Sequence, residues 1–158
     1  MKNLFLLFFV SLFAISAMQD CTDKLPLNEG IITYTKSQIG KKVDTGECWD
    51  LANEALKLVK AKWDGKVNFG QKVDPFKDCI YPGDIIQFEN VKIKYKEGNM
   101  NYQESMEHHT AIIYQVNGTG DYTLAHQNTA FTGQKVGTSH LNLKDVITGT
   151  FQIYRPVN

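Results

Sequence analysis

The stretch that most constrains the fold is "HTAIIYQVNGTGDYTLAHQN", residues 109–128. Two runs rich in β-branched and aromatic residues flank an Asn-Gly pair, which is a strong short-range hairpin signal. With the loop at residues 117–120, Val116 faces Asp121, Ala111 faces His126 and His109 faces Asn128. Strand alternation then places His109, Ala111 and Ile113 on the same face as Leu124, His126 and Asn128. One end of that face collects two imidazoles and a carboxamide, while His108 points to the other face. A register slip of one residue would scatter them.

The elements around this hairpin set the fold class. Residues 45–63 read as a helix. Asp44 or Thr45 can cap it, Glu47 completes a capping box, and Cys48, Leu51, Ala52, Ala55 and Val59 follow one buried face. "DKLPLNEG" reads as an entry loop. "IITYTKSQIGKK" carries β-branched residues, but Gly40 and two lysines mark a helix stop, so a helix is preferred. After Pro75 the pattern turns to strands. "YPGDIIQFENVKIKYK" gives a turn and then strand, and "QKVGTSHLNL" and "TGTFQIYRP" give two more. The polar "EGNMNYQESMEHH" reads as a loop. Helices followed by adjacent strands predict an α+β fold with an antiparallel sheet.

The chain of 158 residues is long enough for one domain. Its 17 basic residues balance 17 acidic ones, with no basic block, which removes the electrostatic case for a nucleic-acid partner. "MKNLFLLFFVSLFAISA" has a lysine, a short apolar run and a small-residue boundary. It predicts a signal peptide over residues 1–17 and an exported domain over 18–158, with no membrane segment after cleavage. An exported monomer, extracellular or periplasmic, is the expectation. In a eukaryotic host, Asn117-Gly118-Thr119 is a glycosylation sequon.

Export puts the three cysteines under oxidising conditions. Cys21 and Cys79 lie outside the strongest helix and strand signals, and pairing them leaves Cys48 free. Cys48 then has the setting of a nucleophile. A helix N-terminus favours the thiolate, and its N–H groups can hold an oxyanion. His109 can take the thiol proton, and His126 or Asn128 can orient His109. The same Cys48, His109 and His126 set could in principle ligate zinc, but no close-spaced ligand pair supports that. No metal and no cofactor is expected.

Three motifs carry a family resemblance. "GECWDLANEAL" resembles the nucleophile helix of the NlpC/P60 superfamily of papain-like cysteine hydrolases. "YPGDIIQF" resembles its Gly-Asp-apolar strand entry, and residues 109–128 resemble its histidine strand, hairpin and Asn-terminated strand. The chain is most similar to the CHAP branch, the cysteine, histidine-dependent amidohydrolases/peptidases. The spacing fits: 61 residues from Cys48 to His109, 17 more to His126 and two more to Asn128. The CHAP pattern often has glutamate where this chain has His126, whereas other branches use a histidine there. The resemblance covers about residues 30–155. It implies a papain-like fold that brings the helix bearing Cys48 to His109, and an amide-cleaving enzyme acting on peptidoglycan or a small peptide amide, as endopeptidase or amidase. The alternative is a CHAP-like binding module without turnover.

Overall fold

Pro26 opens the first helix, α1 (Pro26–Gln38), at a position where its fixed φ suits the first turn and its missing N–H costs nothing. The helix therefore takes in "PLNEG", which the sequence reading left in a loop, and buries Asn28, Ile31 and Thr35 along one face. The computed structural model describes residues 21–158; the expected signal peptide and its cleavage point lie outside them.

The second helix, α2 (Asp50–Leu58), is shorter than expected at both ends. Its start is displaced because Asp44 takes a positive φ of 48° and begins a loop. Asp50 closes that loop from the helix side. Its Oδ2 accepts from the Thr45 hydroxyl at 2.6 Å and from the Gly46 and Glu47 N–H groups at 3.0 Å each. At the other end, Lys60 sits at φ 55°, and Lys60 N–H and Ala61 N–H return to the carbonyls of Lys57 and Leu56. That is a Schellman closure with lysine where glycine is usual, so the sequence carries no stop signal there. Between these ends α2 buries Leu51, Ala52, Ala55 and Leu56 against the sheet. Each of the two leucines contributes about 1.5–3 kcal/mol by burial.

Six strands follow: β1 (Gln71–Val73), β2 (Ile85–Glu97), β3 (Met100–Gly118), β4 (Asp121–His126), β5 (Gly137–Asn142) and β6 (Val146–Arg155). All pair antiparallel, in the order β1-β6-β2-β3-β4-β5. The α+β class with helices ahead of an antiparallel sheet is as expected. Alternation sorts the core in two. Ile85, Ile112, Ala125 and Tyr154 meet the helices, while Ile86, Phe88, Ala111, Ile113 and Leu124 pack on the opposite face.

The segment expected as a polar loop is instead strand. Residues 100–106 pair with β2 from Glu97↔Met100 to Val91↔Met106. One side of this arm is apolar, with Val91 and Ile93 buried and Tyr95 and Met106 packed against the same core. It is held by backbone pairing, by stacking of Tyr95 on Tyr102 at 5.1 Å, and by the Tyr95 hydroxyl donating to Glu104 at 3.0 Å.

The β3–β4 hairpin turns at Thr119–Gly120, with Gly120 at φ 72°, so Gly118 faces Asp121 and Val116 faces Tyr122. Val116 opposite Asp121 was the expectation. Two register irregularities further down absorb the difference, and Ile112 faces Ala125 as the sequence reading requires at the histidine end.

"YPGD" is a structural joint. Asp84 is fully buried. Its two oxygens accept from Asn28 Nδ2 at 2.8 Å, Tyr81 N–H at 3.0 Å, and Arg155 Nη2 and Nε at 2.8 and 3.2 Å. Arg155 also donates to the Cys79 carbonyl and lies over the Tyr81 ring. Gly83, at φ 92°, is needed because a Cβ there would meet the backbone of Asn28 at 2.6 Å. Cys21 and Cys79 are joined in a disulfide beside this cluster, with Cα atoms 5.5 Å apart. Among the described residues no helix is long and apolar enough to cross a membrane.

Candidate active site

Pairing of β3 with β4 stops at Ile112↔Ala125. Below that point the edge of β3 at His108–Thr110 is left open toward the loop that precedes α2, and Cys48 occupies the opening. Its Sγ lies 3.8 Å from the His108 carbonyl oxygen and receives the Thr110 N–H. The thiol thus brackets the backbone of His109 from both sides. Cys48 is the free cysteine of the described residues and is half-buried. It stands in the turn ahead of α2, not in the helix itself, because the helix begins at Asp50.

His109 turns inward from β3 beside Phe88. Its Nε2 is 2.9 Å from His126 Nδ1. The other nitrogen of His126, Nε2, is 3.0 Å from the Ser139 hydroxyl on β5. Both rings are buried, at 8% and 6% exposure. Burial first, then the neighbouring imidazole, pushes them down: His109 to about 4, with His108 adding to the effect, and His126 to about 3, with His109 adding to it. Both are neutral at pH 7. Burial pushes the Cys48 thiol up, and the Glu47 charge pushes the same way. The Thr110, Trp49 and Cys48 N–H groups oppose both by favouring the thiolate. The resting pair is therefore thiol and imidazole, not thiolate and imidazolium.

Cys48, His109, His126 and Asn128 all line one cleft, but Asn128 does not bond to His109. β4 ends at His126, and Asn128 takes a positive φ of 61°, so strand alternation no longer governs it. Its Nδ2 donates to Glu47 at 3.0 Å rather than to His109. Between them stands Gln127, which the sequence reading missed. It is fully buried and clamps the thiol-bearing loop. Its Oε1 accepts from Val43 N–H at 3.1 Å, and its Nε2 donates to the Val43 and Glu47 carbonyls at 2.9 Å each. Three consecutive residues thus hold the imidazole, the loop and the loop's carboxylate.

The thiol opens into a cleft of about 540 Å³. Trp49 and Phe131 offer apolar surface, and Glu47, Glu104 and Glu107 stand on its walls. Among the described residues no three His, Cys, Asp or Glu side chains converge as a metal site requires.

A free thiol at a helix entrance, set against a buried histidine of an antiparallel sheet, defines a cysteine proteinase fold. The model of the AIM3/BBC1 cysteine proteinase-fold domain matches residues 26–158, and the chain belongs to that family. Two solved structures are similar to it. Ly7917 is 14% identical with a TM-score of 0.47, over 80% of this chain and 62% of that one. Ly7917 with the hydrolysing product of MDP is 15% identical with a TM-score of 0.49, over 82% and 63%. The chain spans less than two thirds of their length. None of the curated proteins compared matches this sequence.

Proposed function

We propose that the chain is an exported cysteine hydrolase of the NlpC/P60 superfamily, CHAP-like, which cleaves amide bonds once residues 1–17 are removed, as a single domain over 18–158. The observation that carries this reading is the position of Cys48 Sγ against His108–Thr110, beside a neutral His109 whose far nitrogen is held by His126. Peptidoglycan, as target of an endopeptidase or amidase, follows from the sequence resemblance alone. The domain works as a monomer without cofactor.

In the proposed cycle His109 accepts the thiol proton at Nδ1, since Nε2 is engaged by His126. Cys48 Sγ then attacks the amide carbon. The N–H groups of Cys48 and Trp49, which lie against Sγ, supply donors for the developing oxyanion. His109 returns its proton to the leaving nitrogen, the C–N bond breaks, and a thioester remains. Water loses a proton to His109 and attacks the thioester carbon, releasing the acid and the thiol. His126 keeps the His109 ring in the orientation that turns Nδ1 outward.

The test is incubation of the mature protein, and of Cys48→Ala, with peptidoglycan and a panel of small amides, with products read by mass spectrometry. New amine and carboxylate ends are expected with the wild type alone. Equal products from Cys48→Ala, or none from either protein, would sink the reading.

A further inference from the structure

We propose that Gln127 is a positioning residue that aims the Cys48 N–H at the oxyanion, by holding the carbonyl of the peptide that joins Glu47 to Cys48. The inference rests on the reading of Cys48 as nucleophile and extends it to a residue that no resemblance assigns.

The direction of every bond around Gln127 is fixed by its partners. Oε1 meets the Val43 N–H at 3.1 Å, a group that only donates. Nε2 meets the Val43 and Glu47 carbonyls at 2.9 Å each, groups that only accept. A flipped amide would set its oxygen against two carbonyls and its NH₂ against an N–H. Gln127 is fully buried, so solvent does not share these bonds.

The Glu47 carbonyl and the Cys48 N–H belong to one trans peptide, so they point opposite ways in one plane. Gln127 holds the carbonyl end. The Asp50 N–H holds it too, at 3.1 Å, but from within the same turn. Gln127 adds a reference to the sheet. It directly follows His126, whose Nδ1 lies 2.9 Å from His109 Nε2. One strand end thereby sets both the base and the peptide plane. Along residues 46–50, Asp50 Oδ2 takes the N–H groups of Gly46 and Glu47, and the Glu47 carbonyl takes that of Asp50. That leaves the N–H groups of Cys48 and Trp49, and both lie against Sγ, beside which an attacked carbonyl develops its charge.

Two reactions of Cys48 separate aim from fold. With iodoacetamide, Sγ displaces iodide from a saturated carbon: an S–C bond forms, a C–I bond breaks, and no oxyanion develops. With p-nitrophenyl acetate, Sγ attacks a carbonyl carbon, its proton passes to His109, and the oxygen becomes an oxyanion. The C–O bond then breaks, p-nitrophenolate leaves, and an acetyl thioester remains. Both rates are measured at pH 7 in the wild type and in Gln127→Met, which keeps the side chain's length and removes its amide; the Cys48→Ala rate is the blank. Alkylation of Gln127→Met is expected to match the wild type. Acylation is expected to be about tenfold slower, a smaller loss than deleting a donor because the N–H remains but is misaimed. Unchanged acylation overturns the proposal, as does a fall of both rates in equal proportion, which a loosened loop would give. In the ¹⁵N-labelled wild type, the Cys48 amide proton is expected to move downfield when acetaldehyde adds to the thiol as a hemithioacetal. An unmoved proton overturns the proposal even should Gln127→Met fail to fold. The expected pair of rates in a protein that cleaves no amide would uphold the role of Gln127 and sink only the hydrolase reading.

Discussion

Two buried polar clusters meet the same sheet and resolve burial in opposite ways. At Asp84 every oxygen is engaged and a cation stands alongside. Burial pushes the carboxyl up, while Arg155, the Tyr81 N–H and Asn28 pull it back. The result is a joint that ties α1, the disulfide segment and β6 to the start of β2. At His109 and His126 no carboxylate stands alongside, burial is unopposed, and both rings fall to about 4 and about 3. Saturated partners make the first cluster structural. The second keeps one nitrogen, His109 Nδ1, free for a proton at neutral pH. The contrast shows that burial alone does not decide what a polar group is for; the presence or absence of a counter-charge does.

That contrast can be broken by exchanging what each cluster loses on mutation. The largest effect expected is on turnover. His109→Ala should lower kcat about 10⁴-fold in the amide-cleavage assay, with a urea transition that remains cooperative. Next, Asp84→Ala should cost about 3–5 kcal/mol in urea unfolding, because it strands Arg155 without its partner. Activity per folded molecule should be retained. An Asp84→Ala protein of normal stability, or a His109→Ala protein of normal activity, would erase the distinction.

A smaller loss is expected from opening the disulfide. The Cys21→Ala, Cys79→Ala double variant should unfold about 2–4 kcal/mol more easily, since the bridge closes a long loop. Because Arg155 donates to the Cys79 carbonyl, its effect should not add to that of Asp84→Ala in a double-mutant cycle.

The histidine pair also predicts the acid response. Above about pH 6.5 both folded and unfolded chains hold neutral imidazoles. As pH falls, the unfolded chain takes up protons that the folded one refuses, so stability declines from about 6.5 toward about 4 for His109 and about 3 for His126. Urea unfolding at pH 7 and pH 5.5, above most carboxylate titration, checks this. A His109→Gln, His126→Gln protein should show a flatter dependence. The smallest contrast lies inside the site: His126→Ala should lower kcat tenfold or more, while Asn128→Ala, which touches Glu47 and not His109, should stay within about threefold.

How far the sequence could be read follows from the same physics. The histidine end of the hairpin was legible because alternation has a period of two and both runs are strongly β-forming. The joining of Cys21 and Cys79 was legible because the export expected from the sequence would leave few other fates for exposed cysteines. The bond from Asn128 to Glu47 was not legible for a specific reason: β4 stops two residues earlier, and beyond its end alternation predicts nothing. Gln127 was invisible because its partners, Val43 and Glu47, are about 80 residues away. The β3 half of the arm, residues 100–106, was missed because its residues are mostly polar, although Met106 packs against the core. Asp50 was hidden by a plausible capping box upstream of it, while its carboxylate reaches backward from the helix to close the loop at Thr45, Gly46 and Glu47.

The hairpin turn at Thr119–Gly120 has a consequence for attachment. Asn117 is exposed there, and its Nδ2 bonds only to Asp121 and Thr123 close by. Eight residues of strand separate it from His109, about 26 Å at the rise of an antiparallel strand. A sugar on Asn117 would therefore project from the end of β3 opposite the thiol and leave the cleft mouth clear. The same holds for a dye or a surface linker installed by Asn117→Cys chemistry, provided the Cys21–Cys79 disulfide is left oxidised and Cys48 is protected by a bound inhibitor. This turn is the handle by which the domain can be carried, tracked or immobilised without obstructing what enters the cleft.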